Sequence, residues 1–314
     1  MRLRFVCFLL AVLPVLLADG QPIQQFSERF DCRPDCKVTW AVTNRLPAKV
    51  KTLKVVPTKF SHETTSNLLQ IASLTPKNKK SPVQSGVFMG KDVSAFGNRE
   101  ETRSLEIVPS QGFVVLVNRE AVAGARQLSE GVPERKGVLK HALEQLQSLG
   151  VNQAEIATNT LGKVEPRTLS EETEIFKDKI SGNVVTNVLA RWVWLNRQIE
   201  GITVSGGSGL LFKFGNLGKI SELRLTWRTI EPFKELEVPN PDEFVKLVKS
   251  GKTLVRMGTS QPFTSLTVTN ASLFYWENSG TEPQKYIYPF AVLNAKTDKE
   301  GEASSVDIFV TFQN

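Results

Sequence analysis

Histidine is almost absent from this chain of 314 residues, which has His62 and His141 and no other. Cysteine is nearly as scarce, at Cys7, Cys32 and Cys36. A structural or catalytic metal site usually draws three or four Cys, His or carboxylate ligands at close spacing. No such spacing can be written here, so neither a metal nor another cofactor is expected. The two histidines lie far apart in sequence and give little basis for Ser-His chemistry. After the first twenty residues no run of about 18 apolar residues occurs, so no transmembrane span is expected in the mature chain.

The first twenty residues are a different matter. "MRLR" is a basic start, "FVCFLLAVLPVLLA" is an apolar run, and Ala18 and Gly20 supply small residues ahead of a cleavage site. This is the pattern of a secretory signal peptide, with cleavage expected near Gln21. The expected location is therefore secreted, periplasmic or at the cell surface; retained, the same segment would be an N-terminal anchor. Export leaves two cysteines, Cys32 and Cys36 in "DCRPDC", and in an oxidising compartment such a pair usually joins. A small structural disulfide is expected, with Pro34-Asp35 favouring the turn.

The formal net charge is +7. Lys77, Lys79 and Lys80 cluster, and Lys49, Lys51, Lys54 and Lys59 form a looser group. A basic chain can attract nucleic acid. No basic motif studded with aromatics accompanies these lysines, and export argues against such a partner, so they are taken as solvated. The same holds for Glu171, Glu172 and Glu174 in "SEETEIF".

Three helices are expected. Ser61 can cap "SHETTSNLLQIASL". "PERKGVLKHALEQLQSLG" carries a stripe of Val138, Leu139, Ala142, Leu143, Leu146 and Leu149, with Pro133 in the first turn and Gly150 at the end. "NPDEFVKLVKSG" has Asn240 as cap, Pro241 at the first helical position, Glu243 completing a capping box and Gly251 as stop. Each of the last two is followed by about four β-type segments. Alternation is clear in "ELRLTW", where Leu223, Leu225 and Trp227 share a side.

The economical arrangement is α+β: tandem units of one helix packed on an antiparallel β-sheet. The divisions are 1–20 for the leader, 21–128 for an N-terminal α+β region, 129–236 for the first unit and 237–314 for the second. Leu143 and Leu146 are expected over the strand bearing Trp192 or Trp194. Phe244 and Leu247 are expected over the strand bearing Phe274 or Trp276.

The Gly-rich stretch Ser205–Gly209 matches neither phosphate-loop pattern and runs from strand to strand rather than into a helix. The residue two after Ser208 is Leu210, so it is not a nucleophile elbow either. A turn between strands is expected, as in "GNLGK" one strand later.

The same region carries a resemblance. "LNRQIEGITVSGGSGLLFKFGNLGKISELRLTWRTI" resembles the β-hairpin part of bacterial exported PepSY-like domains, including regulatory proteins of the Yyc type. The matching positions are Ile199, Gly201, Ile202, Val204, Gly218, Leu225 and Trp227. "NASLFYW" and "YIYPFAVLNA" are similar in the second unit. The resemblance covers roughly residues 130–314 and implies cystatin-like α+β units. It also implies non-enzymatic work outside the cytoplasm, restraining a peptidase or modulating a membrane sensor. It offers no catalytic residue to carry over.

Trp192 and Trp194 share a face by period two, as do Phe274 and Trp276. Either they pack beneath the helices, or one face stays open as a partner-binding surface, since aromatics anchor protein interfaces. The function expected is that of an exported non-catalytic binding or regulatory protein engaging a protein partner. A peptidase inhibitor or propeptide-like module is the alternative, and an enzyme with an unrecognised site a second.

Overall fold

The computed structural model describes residues 35–80, 93–124, 127–177, 182–250, 253–256, 264–280, 282–298 and 305–311. Along the chain, β1 (Lys37–Trp40), β2 (Lys49–Val56) and helix α1 (His62–Ile71) lead into β3 (Lys79–Lys80), β4 (Ser94–Gly97), β5 (Arg103–Val108) and β6 (Phe113–Asn118). Helix α2 (Arg135–Gln145) is followed by β7 (Thr168–Lys177), β8 (Val184–Leu195), β9 (Gln198–Ile199), β10 (Ile202–Gly206), β11 (Gly209–Phe214), β12 (Ile220–Thr226) and β13 (Thr229–Glu237). Helix α3 (Pro241–Lys249) precedes β14 (Leu254–Arg256), β15 (Ser265–Glu277), β16 (Tyr286–Thr297) and β17 (Ser305–Thr311). No helix of the described residues is long and apolar enough to cross a membrane. The expected leader and Cys32 lie outside the described residues, while Cys36 is buried in the second of the two large cores.

The helix starts follow from local chemistry. The Ser61 hydroxyl accepts the Thr64 N–H at 2.9 Å. Asn240 and Glu243 form a reciprocal capping box with Pro241 just inside it, which satisfies donors that the helix itself cannot. Helix α2 runs on through a 3-10 turn at Gln147–Leu149 to Gly150, whose φ of 69° is left-handed. The expected stop at Gly251 falls outside the described residues.

The expected tandem α+β units do not form. The chain is mostly β, with three α-helices among the described residues and two large sheets. The eight-stranded sheet is antiparallel in the order β3-β4-β5-β6-β12-β11-β8-β7. It carries two helices: Leu68 and Leu69 of α1 share one core with Val138 and Ala142 of α2. Leu146 joins that core, and the β8 residues beneath it are Val193 and Leu195 rather than the tryptophans.

The nine-stranded sheet is built on the long β15–β16 hairpin. At one end β10 flanks β15 and β2 flanks β16; at the other the neighbours are β1 and β17. Both β1 and β10 run parallel to β15, so this sheet is not purely antiparallel. Helix α3 lies against β1 and β17, with Trp40 stacked on Phe244 at 5.5 Å between ring centroids. Segments expected in separate units therefore share sheets. Hydrophobic periodicity marks the face a strand buries; it carries no information about which strand closes the edge.

Two outcomes test this packing. Leu146→Ala, in the shared core, is expected to cost about 2–5 kcal/mol in urea unfolding, whereas half-exposed Leu247→Ala should cost less than about 2 kcal/mol. Equal losses would contradict the assignment of Leu247 to the edge of its core. Burial also raises the pKa of Tyr275 from 10.0 to about 12. The folded state thus holds this proton more tightly than the unfolded chain. The stability it contributes is complete below about pH 10 and is lost as pH rises toward 12, at up to about 1.4 kcal/mol per pH unit. Tyr275→Phe should flatten that loss in a comparison of unfolding free energies across this range.

Candidate functional site

The chain passes between the sheets through three links of two residues. Asn196-Arg197 joins β8 to β9, Gly207-Ser208 joins β10 to β11, and Trp227-Arg228 joins β12 to β13. The Gly-rich stretch is therefore not a hairpin turn; its strands belong to different sheets. The "GNLGK" stretch, by contrast, does join a hairpin, β11–β12. A Cβ on Gly207 would come within 2.4 Å of Ser279 Cα, so glycine is needed where one sheet meets the backbone of the other. Ser208 is buried and its Oγ donates to Thr226 O at 3.4 Å, a contact with backbone and not with a base.

Charged side chains fill the junction. Arg228 is fully buried. Its Nη1 donates to Glu277 Oε1 at 3.1 Å, Asn278 O at 2.9 Å and Gln284 Oε1 at 3.3 Å. Its Nη2 donates to Gln111 Oε1 at 3.2 Å, Ser279 O at 2.9 Å and Glu282 O at 2.7 Å. Burial pushes the guanidinium pKa down from its usual value and Glu277 works against that shift. Arg197 donates through Nη1 to Arg228 O at 2.8 Å and through Nε to Glu155 Oε2 at 2.9 Å. Trp227 Nε1 donates to the same Glu155 oxygen at 3.0 Å, and the Arg197 guanidinium sits 4.9 Å from the Trp227 ring centroid.

A cavity of about 280 Å³ opens beside this cluster, lined by Lys59, Phe60, Glu155, Arg197, Trp227 and Arg228 among others. Both arginines are committed to acceptors of the protein itself, so the cluster reads as a clasp between sheets. Among the described residues no group of three or more His, Cys, Asp or Glu could hold a metal ion. His62 is exposed. His141 is about half-exposed on α2, with Nδ1 3.6 Å from Glu144 Oε2. The two histidines lie on different helices, α1 and α2.

The aromatic residues divide. Trp192 and Trp194 stand on the face of the eight-stranded sheet away from both helices, half-buried. Strand register sets Trp194, Leu211, Arg224, Val115 and Glu106 at one level across five neighbouring strands. Trp192, Lys213, Glu222 and Val117 form the next level. Lys213 Nζ lies 5.8 Å from the Trp192 ring centroid and the Arg167 guanidinium 5.4 Å from that of Trp194, distances at which a cation is held by a ring face. Lys213 also pairs with Glu172 at 2.5 Å. Partial burial raises the pKa of Glu106. Gly209, at φ 139°, leaves room for Trp194: a Cβ there would lie 2.5 Å from Trp194 Nε1.

Trp276 instead is buried with Phe290 and Phe309, on the face of the nine-stranded sheet opposite α3, and half-buried Phe274 packs against them. Trp276 Nε1 donates to Asn278 Oδ1 at 3.0 Å. This second pair is part of a small satellite core rather than an open platform.

Sequence reasoning missed the junction. The one available signal was an arginine closing each of two short links, in "WLNRQI" and "LTWRTI". It also left open which side of β8 faced the helices.

No family model matches this chain, and no curated protein matches it. Among solved structures it is similar to the crystal structure of an uncharacterized protein from Eubacterium rectale ATCC 33656, with 13% identity and a TM-score of 0.43 over 88% of this chain and 86% of that one.

The junction yields a direct expectation. Arg228→Met leaves Glu277 buried without its strongest partner and should cost about 3–5 kcal/mol in denaturant unfolding. The double variant Arg228→Met/Glu277→Met removes the orphaned charge and should recover part of that loss. If the double variant is less stable than Arg228→Met alone by the full cost of a second independent change, the pair is not coupled.

Proposed function

We propose that this chain is an exported, non-catalytic binding protein that engages a protein partner through the open face of its eight-stranded sheet. One observation carries this reading. Two half-buried tryptophans, with Leu211, Val115 and Val117, lie on a sheet face that no described element covers. An antiparallel sheet tolerates water on one face, but that face is then ordinarily polar. Here apolar side chains are interleaved with Lys213, Arg224, Glu222 and Glu106, the mixture of aromatic anchors and charged surroundings that suits a protein interface. The lack of a basic stripe on this face weighs against nucleic acid.

The signal-peptide pattern of the first twenty residues supports export. A regulatory role, with a membrane sensor or a peptidase as partner, rests on the sequence resemblance of residues 199–227 by analogy alone, since the helix-on-sheet units it implied and the hairpin expected at Ser205–Gly209 do not form. Inhibition of an extracellular peptidase by the purified protein would select the second partner class.

A photo-crosslinking amino acid in place of Leu211, in cells that secrete the protein, is expected to give a discrete protein adduct. The same label in place of exposed Lys140 on α2 should not. Trp192→Ala/Trp194→Ala should weaken the partner's affinity by roughly tenfold or more in a variant that is less stable but still folded at the assay temperature. Equal adducts from both labelled positions, or full affinity in the folded double variant, would remove this face from the function.

A further inference from the structure

A groove of about 1100 Å³ runs between the loop joining β1 to β2 and the start of α3. Its apolar lining is Trp40, Val42, Leu46, Val238, Phe244 and Leu247. All six belong to, or pack on, the core of the nine-stranded sheet. Phe244 is buried, and the other five are partly exposed along the groove. The parallel Trp40–Phe244 stack, with an interplanar angle of 9°, is one continuous aromatic surface. A core that surfaces in a groove leaves apolar area in water that a ligand can remove. The volume lies just above the range of about 300–1,000 Å³ usual for small-molecule sites.

The lining also restricts the kind of ligand. Pro47, Pro239 and Pro241 form part of the walls, and proline has no N–H to offer. An extended peptide would bring backbone groups that need partners, whereas a hydrocarbon chain needs none. Four charged side chains stand around the groove: Arg45, Lys246, Glu237 and Glu243. Glu243 is engaged in the α3 cap, where its Oε2 accepts the Asn240 N–H at 2.8 Å. Glu237 lies 3.9 Å from Lys49 Nζ. Arg45 and Lys246 enter no ion pair among the described residues. The four charges sum to zero, but each carboxylate has a partner of its own, and the two cations are the ones left to meet an anion.

We propose that this groove binds a free amphiphile with a single acyl chain and an anionic head group. The chain lies along the surface of Trp40, Leu46 and Leu247, and the head is held by Arg45 and Lys246. The site is on the other sheet from the proposed protein-binding face and does not depend on it.

Displacement of dansyl-labelled undecanoate from the full mature chain tests this. Hexadecanoate should displace the probe from the wild type in a saturable way. Arg45→Glu/Lys246→Glu should bind hexadecanoate about tenfold more weakly while still binding neutral hexadecanol as the wild type does. Leu46→Asp should lose both ligands, and unfolding midpoints close to that of the wild type would show that the variants are folded. No saturable binding of hexadecanoate by the wild type overturns the proposal, and so does equal affinity in the charge-reversed variant. Sedimentation with phosphatidylglycerol vesicles in the absence of hexadecanoate binding would overturn it in favour of a membrane surface. Displacement by an acidic decapeptide but not by hexadecanoate would make the groove a peptide site.

Discussion

The Arg228–Glu277 pair holds the two sheets in one arrangement. A guanidinium stripped of water demands acceptors for every N–H it presents. The Nη hydrogens of Arg228 find them in Glu277, in the turn after β15, in Gln284 and in Gln111 beside β6, while its buried Nε–H has none among the described residues. Because those acceptors come from both sheets, the sheets cannot slide without leaving a buried charge short of partners. Replacement of buried ion pairs by apolar residues is often neutral for stability. The more informative property of this one is directional: six donor–acceptor contacts fix one docking geometry where apolar packing would permit several.

From that geometry the two exposed features follow. Helices α1 and α2 occupy one face of the eight-stranded sheet, so the alternation of side chains along β8 and β11 delivers Trp192, Trp194 and Leu211 to the other. Lys213 and Arg167 over the indole rings reduce the cost of leaving large aromatics at a wet surface. On the nine-stranded sheet, α3 covers β1 and β17 but its first turn does not close over the loop that begins at Ala41, and the groove is what remains.

Much of the local structure was legible. Ser61, Asn240 with Glu243, and Gly150 set helix ends through contacts within a few residues, which a sequence displays directly. The β11–β12 hairpin was legible for the same reason. What escaped was long-range. Val204 pairs with Tyr275 and Lys37 with Ser265, and nothing in a strand's own alternation names a partner that distant. The Ser205–Gly209 stretch has the composition of a hairpin turn, yet Gly206 and Gly207 serve close approach to Glu277 and Ser279, and Gly209 makes room for Trp194. Of the candidate aromatics, period two placed each pair correctly on one face, but the side covered by helices was decided by α1 and α2 together, and α1 had been assigned elsewhere.

The placement of β1 bears on the order of assembly. Asn44 Nδ2 donates to Ala271 O across 227 positions of sequence, and among the described strands β1 pairs with β15. The eight-stranded sheet can close once residue 226 is available, since all its strands lie before that point. β2 can pair along its length with β13 once residue 237 exists, but β1 must wait for the β15–β16 hairpin. Contacts of this separation carry the largest loop-closure entropy and form late. The first described strand is thus made early and paired late.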